Sequence, residues 1–224
     1  MAGGIEGLAI VDDVPGEFAE RVIESYHARP NERYALALSG GETARRCYER
    51  LAEDAGTQID WWKVDVYWGD ERCVPHDHVD SNYRLAREAL LDRVGAANAT
   101  HLMRCAEVDA YQLRIGDLGR FDLIHLGLGP DGHTASLFPQ STALDADPGR
   151  LVTLNHDPLG NNPYERMTLT FAGIARARQV VFTVMGDEKA DALAKVSRGE
   201  DVPAARVRAE RCVWLVDQPA ASLL

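Results

Sequence analysis

The sequence predicts an α/β fold built on a mainly parallel sheet with helices on both faces. Three observations carry that prediction. Short aliphatic runs, each about a strand long, recur between segments whose apolar residues fall three and four apart. The runs are almost continuously apolar rather than alternating, as strands covered on both faces must be. Several of them end in glycine or an acid, which suits a chain turning at the carboxyl end of a strand.

The elements follow in order. YALALSGG (34–41) reads as a strand with its exit turn, and ETARRCYERLAEDA (42–55) as the helix it feeds. WKVDVYWGD (62–70) is the next strand, and SNYRLAREALLDRV (81–94) a helix with Asp80 or Ser81 as its N-cap. FDLIHLGLG (121–129), RQVVFTVMG (178–186) and RCVWLVD (211–217) are further strands, and DEKADALAKVS (187–197) is a helix capped by Asp187. The segment NHDPLGNNPY (155–164) reads as a surface or active-site loop, too short to separate domains. No repeat, low-complexity tract or linker interrupts the pattern, so residues 1–224 are expected to form one domain.

Composition narrows the function classes. The chain has 224 residues, of which 46% are hydrophobic, and a formal net charge of −11 from 24 basic and 35 acidic side chains. A duplex or an anionic membrane would be repelled, so no nucleic acid and no membrane partner is expected. Any anionic ligand must be small and gripped by local donors. The N-terminal stretch lacks the basic start and apolar core of a secretory signal, and no apolar run is long enough to span a bilayer. Cys47, Cys73, Cys105 and Cys212 are widely separated and form no CxxC pair, which argues against a disulfide framework or a zinc ribbon. A reducing cytoplasm is the expected location, with the protein a monomer or weak dimer.

Ligands of open parallel sheets sit at the carboxyl ends of the strands, and four strand ends here carry reactive residues. Ser39-Gly40-Gly41, followed by Thr43 at the start of a helix, can present backbone N–H groups and hydroxyls to an anion; it is equally a tight turn with no ligand. It is neither a Walker loop nor a dinucleotide fingerprint. In GLGPDGH, Asp131 could orient His133 so that the free ring nitrogen takes a proton from water; the alternative is a turn histidine. Arg72, after Asp70 and Glu71, could stabilise a developing oxyanion with Asp70 or Glu71 holding it in place, or form a surface ion pair. Lys189 stands in the first helical turn, where a cation opposes the helix dipole and an anionic partner would compensate, unless it is simply solvated. Cys73, His76 and His78 have a spacing a metal could use, but no fourth ligand lies nearby and no metal is expected.

Taken together, LALSGGET, VYWGDERCVP, DSNYRLAREALL, FDLIHLGLGPDGHTASLFP, PYERMTLT and VVFTVMGDEKADAL resemble the ordered motifs of the 6-phosphogluconolactonase family across nearly the whole chain. The resemblance implies a Rossmann-like three-layer α/β/α fold, shared with glucosamine-6-phosphate deaminase and ribose-5-phosphate isomerase relatives. It implies hydrolysis of 6-phospho-D-glucono-1,5-lactone in the oxidative pentose phosphate pathway, with no cofactor. The family's general base matches His133 with Asp131 beside it, and its substrate-contacting arginine matches Arg72. Arg166 and Lys189 match basic residues directed at the substrate phosphate, together with Ser39-Gly40-Gly41. Two departures stand out: Glu42 and Ala44 replace the family's usual serine and proline, and the segment before the ERxTL motif reads DPLGNNP.

The competing reading is the deaminase branch. Its related loop carries a carboxylate where this chain has Phe138, and its strand-end motif reads Asp-Glu-Tyr where this chain has Asp70-Glu71-Arg72. A third reading is a non-catalytic sugar-phosphate sensor, against which the joint presence of His133 and Arg72 argues.

Overall fold

The computed structural model describes residues 4–224. Strand β1 (Leu8–Ile10) leads into helix α1 (Val14–Ala28), where Asp13 accepts the Gly16 N–H at 3.0 Å and Pro15 occupies the first turn. Sequence reading missed this helix, although Asp-Val-Pro is a start signal and Phe18, Val22, Ile23 and Tyr26 form its buried stripe. Strand β2 (Tyr34–Leu38) is buried at every position, and α2 (Glu42–Asp54) follows, burying Ala44, Cys47, Tyr48 and Leu51. Strand β3 (Val64–Trp68) then continues through Gly69 into the short β4 (Asp70–Arg72).

Ser81 caps the next helix by accepting the Arg84 N–H at 3.1 Å. That helix, α3 (Asn82–Ala86), is shorter than the periodicity predicts, because the chain widens into a π-turn over Arg87–Leu91. The Asp92 N–H reaches back to the Arg87 carbonyl at 2.9 Å, a five-residue step that keeps Ala89 and Leu90 buried. Strand β5 (Ala99–Thr100), helix α4 (Val108–Leu118) and strand β6 (Phe121–Gly127) come next. Strands β7 (Val152–Asn155) and β8 (Arg166–Leu169) precede the short α5 (Phe171–Ile174). Strand β9 (Ala177–Val184), α6 (Ala190–Ser197) and β10 (Arg211–Val216) complete the chain. Asp187 does not cap α6; it opens a 3₁₀ turn over Asp187–Lys189, itself entered through Gly186.

Seven strands form one sheet in the order β1-β10-β9-β6-β2-β3-β5, every neighbouring pair parallel and helices covering both faces. Helices α1 and α2 pack together, and Phe18 and Tyr48 from them close over His125 of β6. The strand order reverses between β2 and β6, so the loops after these two strands diverge and leave a crevice between them. A second, antiparallel sheet, β4-β8-β7, stands beside that crevice with Arg72 directly opposite Arg166. Gly69 joins the sheets, giving its N–H to Leu38 and accepting that of Leu169, both at 2.8 Å. The antiparallel sheet was not expected from sequence, since its strands are three or four residues long.

One expectation is corrected outright. Cys73 and Cys105, 32 positions apart in sequence, are joined in a disulfide with Cα atoms 5.6 Å apart. Spacing could not show this, because the pairing depends on β5 docking beside β3 and bringing the following turn against the end of β4. His76 ties the same two segments through the Met103 carbonyl at 3.1 Å. Cys47 is buried and unpaired, and Cys212 is half-buried and unpaired. Replacing Cys105 by serine is expected to cost about 3–4 kcal/mol for a loop of this length. Thermal unfolding of the variant, and of the parent with and without reductant, measures it; a midpoint indifferent to both changes would show that the crosslink does not stabilise the fold.

Candidate active site

A cavity of about 330 Å³ opens at the carboxyl ends of the central strands. Its wall includes Ser39, Gly40, Gly41 and Thr43 from the turn after β2, Asp70 and Arg72 from β4, and Arg166 from β8. His133 and the glycine turn after β6, and Glu188 and Lys189 after β9, complete the rim. Asp131 stands just behind His133.

The turn after β6 is built around the histidine. The Gly129 N–H donates to the His133 carbonyl at 2.8 Å, and that of Gly132 to the Gly129 carbonyl at 3.0 Å. A Cβ on Gly129 would overlap the His133 ring, so this position must be glycine for the imidazole to lie where it does. Asp131 accepts the His133 backbone N–H at 3.1 Å and meets Nδ1 at 2.6 Å. That bond leaves Nε2 as the unengaged ring nitrogen of a histidine that lines the cavity. Burial alone would raise the Asp131 carboxyl, but its bonds to His133 outweigh this and hold it below the usual carboxylate range. Phe138 packs against the imidazole, ring centres 5.0 Å apart.

Across the crevice, α2 begins at Glu42 with Gly41 as N-cap at φ 96°, and no side chain caps it. Its first N–H groups have no helical partners and face the cavity with the positive end of the helix dipole. The Glu42 carboxylate turns outward: it is 78% exposed and lies 3.8 Å from Arg45. Lys189 closes the 3₁₀ turn after β9, its Nζ 3.9 Å from Glu188.

The two consecutive acids after β3 do different work from that expected. Neither holds the Arg72 guanidinium; Nη1 of Arg72 instead donates to the Asp80 carbonyl at 2.6 Å. Glu71 is buried and gathers the backbone N–H groups of Arg72, Asn82 and Tyr83 and the Ser81 hydroxyl, all within 3.0 Å. It thereby pins the start of α3 to β4. Burial pushes its carboxyl above the usual range, against the pull of these donors. Asp70 accepts from the Ser136 hydroxyl at 2.6 Å and the Asn82 amide at 3.0 Å, and lies 3.6 Å from Arg166. Arg166 is buried at 6% exposure, its guanidinium 5.5 Å from the Phe138 ring, and burial lowers its pKa.

Sequence reading did not single out Asn82, Ser136 or Asn162, although Asn82 and Asn162 line the cavity and Ser136 anchors Asp70. Asn82 carried a signal, as the residue after the cap of α3 in DSNY; the loop position of Asn162 carried none. Asn162 is placed by Asp157, which accepts its N–H and its amide at 3.0 and 2.9 Å.

The fold and the crevice define a class, open parallel α/β/α domains with their ligand site at the carboxyl ends of the strands. Residues 9–214 match the family described as glucosamine-6-phosphate isomerases/6-phosphogluconolactonase, and the chain belongs to that family. It is 41% identical to the 6-phosphogluconolactonase of Synechocystis over 83% of this chain and 82% of that one. Identity to the Mycobacterium tuberculosis 6-phosphogluconolactonase is 37%, covering 84% of each chain. Among solved structures, the Thermotoga maritima 6-phosphogluconolactonase superposes with a TM-score of 0.81 at 31% identity, covering 94% of this chain and 99% of that one. A monomeric glucosamine-6-phosphate deaminase superposes with a TM-score of 0.80 at 18% identity, a likeness of fold.

The Asp70 cluster generates a prediction. Asp70→Ala leaves the buried Arg166 charge without its carboxylate, and truncating one partner of a buried pair typically costs about 3–5 kcal/mol. Urea unfolding should show that loss, and a variant as stable as the parent would show that Arg166 is neutralised in another way.

Proposed function

We propose that the chain hydrolyses 6-phospho-D-glucono-1,5-lactone to 6-phospho-D-gluconate, the lactone-opening step of the oxidative pentose phosphate pathway, with His133 activating the water. The observation that carries this reading is the Asp131–His133 pair, whose 2.6 Å bond at Nδ1 leaves Nε2 to a cavity ringed by donors.

In this mechanism Nε2 removes a proton from water as its oxygen attacks C1 of the lactone. Asp131 holds the tautomer and stabilises the imidazolium that forms. Arg72, tethered through Asp80 so that its guanidinium stays on the cavity wall, offsets the charge on the tetrahedral oxyanion. The intermediate collapses by breaking the bond from C1 to the ring oxygen, which takes the proton from His133. The acid so formed ionises, and the neutral histidine is restored. The phosphate belongs at the uncapped start of α2, against Ser39-Gly40-Gly41 and the Thr43 hydroxyl, with Lys189 and Arg166 supplying positive charge. The names of the relatives support the substrate, and an apolar Phe138 beside His133 favours hydrolysis over the deaminase chemistry. No step calls for a cofactor. The remaining partner and assembly follow the sequence reading, a small sugar-phosphate substrate and a monomer or weak dimer; the cytoplasmic site keeps the support of the shared reaction but loses that of the cysteines, since Cys73 and Cys105 are paired.

Coupled turnover of freshly generated 6-phosphogluconolactone, corrected for spontaneous opening, tests the reading directly. Enzyme-dependent hydrolysis is the expected result; none, together with ammonia release from glucosamine 6-phosphate, would move the chain to the deaminase branch. His133→Ala should fold normally and lose roughly a hundredfold to ten-thousandfold in rate, the range for general base catalysis. A folded His133→Ala protein with parental turnover would refute the mechanism. Lys189→Ala should lose roughly tenfold to a hundredfold on the phosphorylated lactone and little on gluconolactone. An equal loss on both would show that Lys189 does not read the phosphate.

A further inference from the structure

His125 is a buried titratable side chain that the hydrolysis does not use. It lies in β6 between Ile124 and Leu126 and is fully buried. Both ring nitrogens are engaged: Nδ1 lies 2.9 Å from the Tyr48 hydroxyl and Nε2 2.8 Å from the Thr183 hydroxyl. The Tyr48 oxygen also accepts the Ser39 N–H at 2.6 Å and lies 3.2 Å from the Ser39 carbonyl. Ser39, His125 and Thr183 all reach the wall of the one cavity. A line of hydrogen bonds therefore crosses the carboxyl ends of β2, β6 and β9 beneath the site.

Counting protons gives the line a direction. Burial pushes the His125 pKa down to about 3, so the ring is neutral and carries a single N–H. Tyr48 has one proton to give, and His125 Nδ1 is the nearer of its two acceptors, at 2.9 Å against 3.2 Å. With Nδ1 accepting, the ring proton resides on Nε2 and is donated to Thr183. The Cys47 thiol also hydrogen-bonds Thr183; burial pushes it up to about 12, so it stays protonated and donates to the hydroxyl oxygen rather than taking its proton. The Thr183 hydroxyl proton is then left for the cavity, at the end of the strand that leads to Lys189.

We propose that His125 is a positioning residue for the phosphomonoester end of the substrate: as the Nε2–H tautomer it braces Tyr48 under the Ser39 turn and makes Thr183 a donor to the phosphate. This rests on placing the phosphate at the Ser39–Gly41 end, as above. The opposite tautomer would take the Thr183 proton and turn the oxygen's lone pairs toward an anion, which repels it.

The test combines binding, kinetics and the tautomer. Thr183→Val should weaken binding of 6-phosphogluconate by roughly tenfold to a hundredfold, measured by calorimetry, as loss of a hydrogen bond to a charged group does. It should raise KM for the lactone more than it lowers kcat, and Thr183→Ser should restore both. In the parent protein, nitrogen-15 spectra should show His125 neutral with its proton on Nε2 between about pH 5 and pH 8, where an ordinary histidine titrates. Parental affinity in Thr183→Val, a proton on Nδ1, or no binding of 6-phosphogluconate by the parent would each overturn the proposal. Should the parent bind 6-phosphogluconate yet turn over no lactone, the hydrolysis reading fails while the Thr183 pair still decides this one.

Discussion

The structure depends on one topological constraint: β2 and β6 are adjacent and parallel, and the chain winds outward from them in opposite directions. Their exit loops must diverge, and the crevice between them opens at the carboxyl end of the sheet. One wall receives the start of α2, the other the glycine turn that presents His133. A helix dipole and an imidazole thus face each other because of strand order.

The third wall comes from two adjacent carboxylates that the strand geometry separates. Asp70 and Glu71 point to opposite sides of β4. Glu71 binds the start of α3, while Asp70 binds the β7–β8 side through Ser136 and Arg166. Buried carboxylates are costly unless every oxygen is engaged, and here the engagement does structural work. It holds Arg72 and Arg166 side by side across an antiparallel pair. The disulfide from Cys73 anchors the far end of the same strand.

Electrostatics then reconcile an acidic protein with an anionic ligand. The net charge of −11 is spread over the surface, where water and salt screen it. Within the cavity Asp70 offsets Arg166 and Glu188 lies near Lys189, so the donors left for an anion are the uncapped helix start, Arg72 and the outer face of Lys189, in a setting of lower dielectric where each counts for more. The acidic Glu42 does not spoil this, since its side chain turns out to solvent.

Much of this was legible in the sequence for reasons that are local. Apolar runs such as YALAL announce strands covered on both faces, and GLGPDGH announces a turn whose glycines admit an imidazole over the backbone. The helix after Ser81 was legible in its cap and its periodicity, but not in its second half, where it widens into a π-turn that buries Ala89 and Leu90. Residue types and spacing determined the α/β class, the parallel sheet and the strand ends that matter, since turn chemistry and periodicity act over a few residues. Tertiary structure alone decided which groups meet: Cys73 with Cys105, Asp70 with Arg166, Arg72 with the Asp80 carbonyl, and His125 with Tyr48 and Thr183. Those contacts are fixed by strand order and by the need to satisfy buried polar groups, and neither leaves a mark in the spacing of residues along the chain.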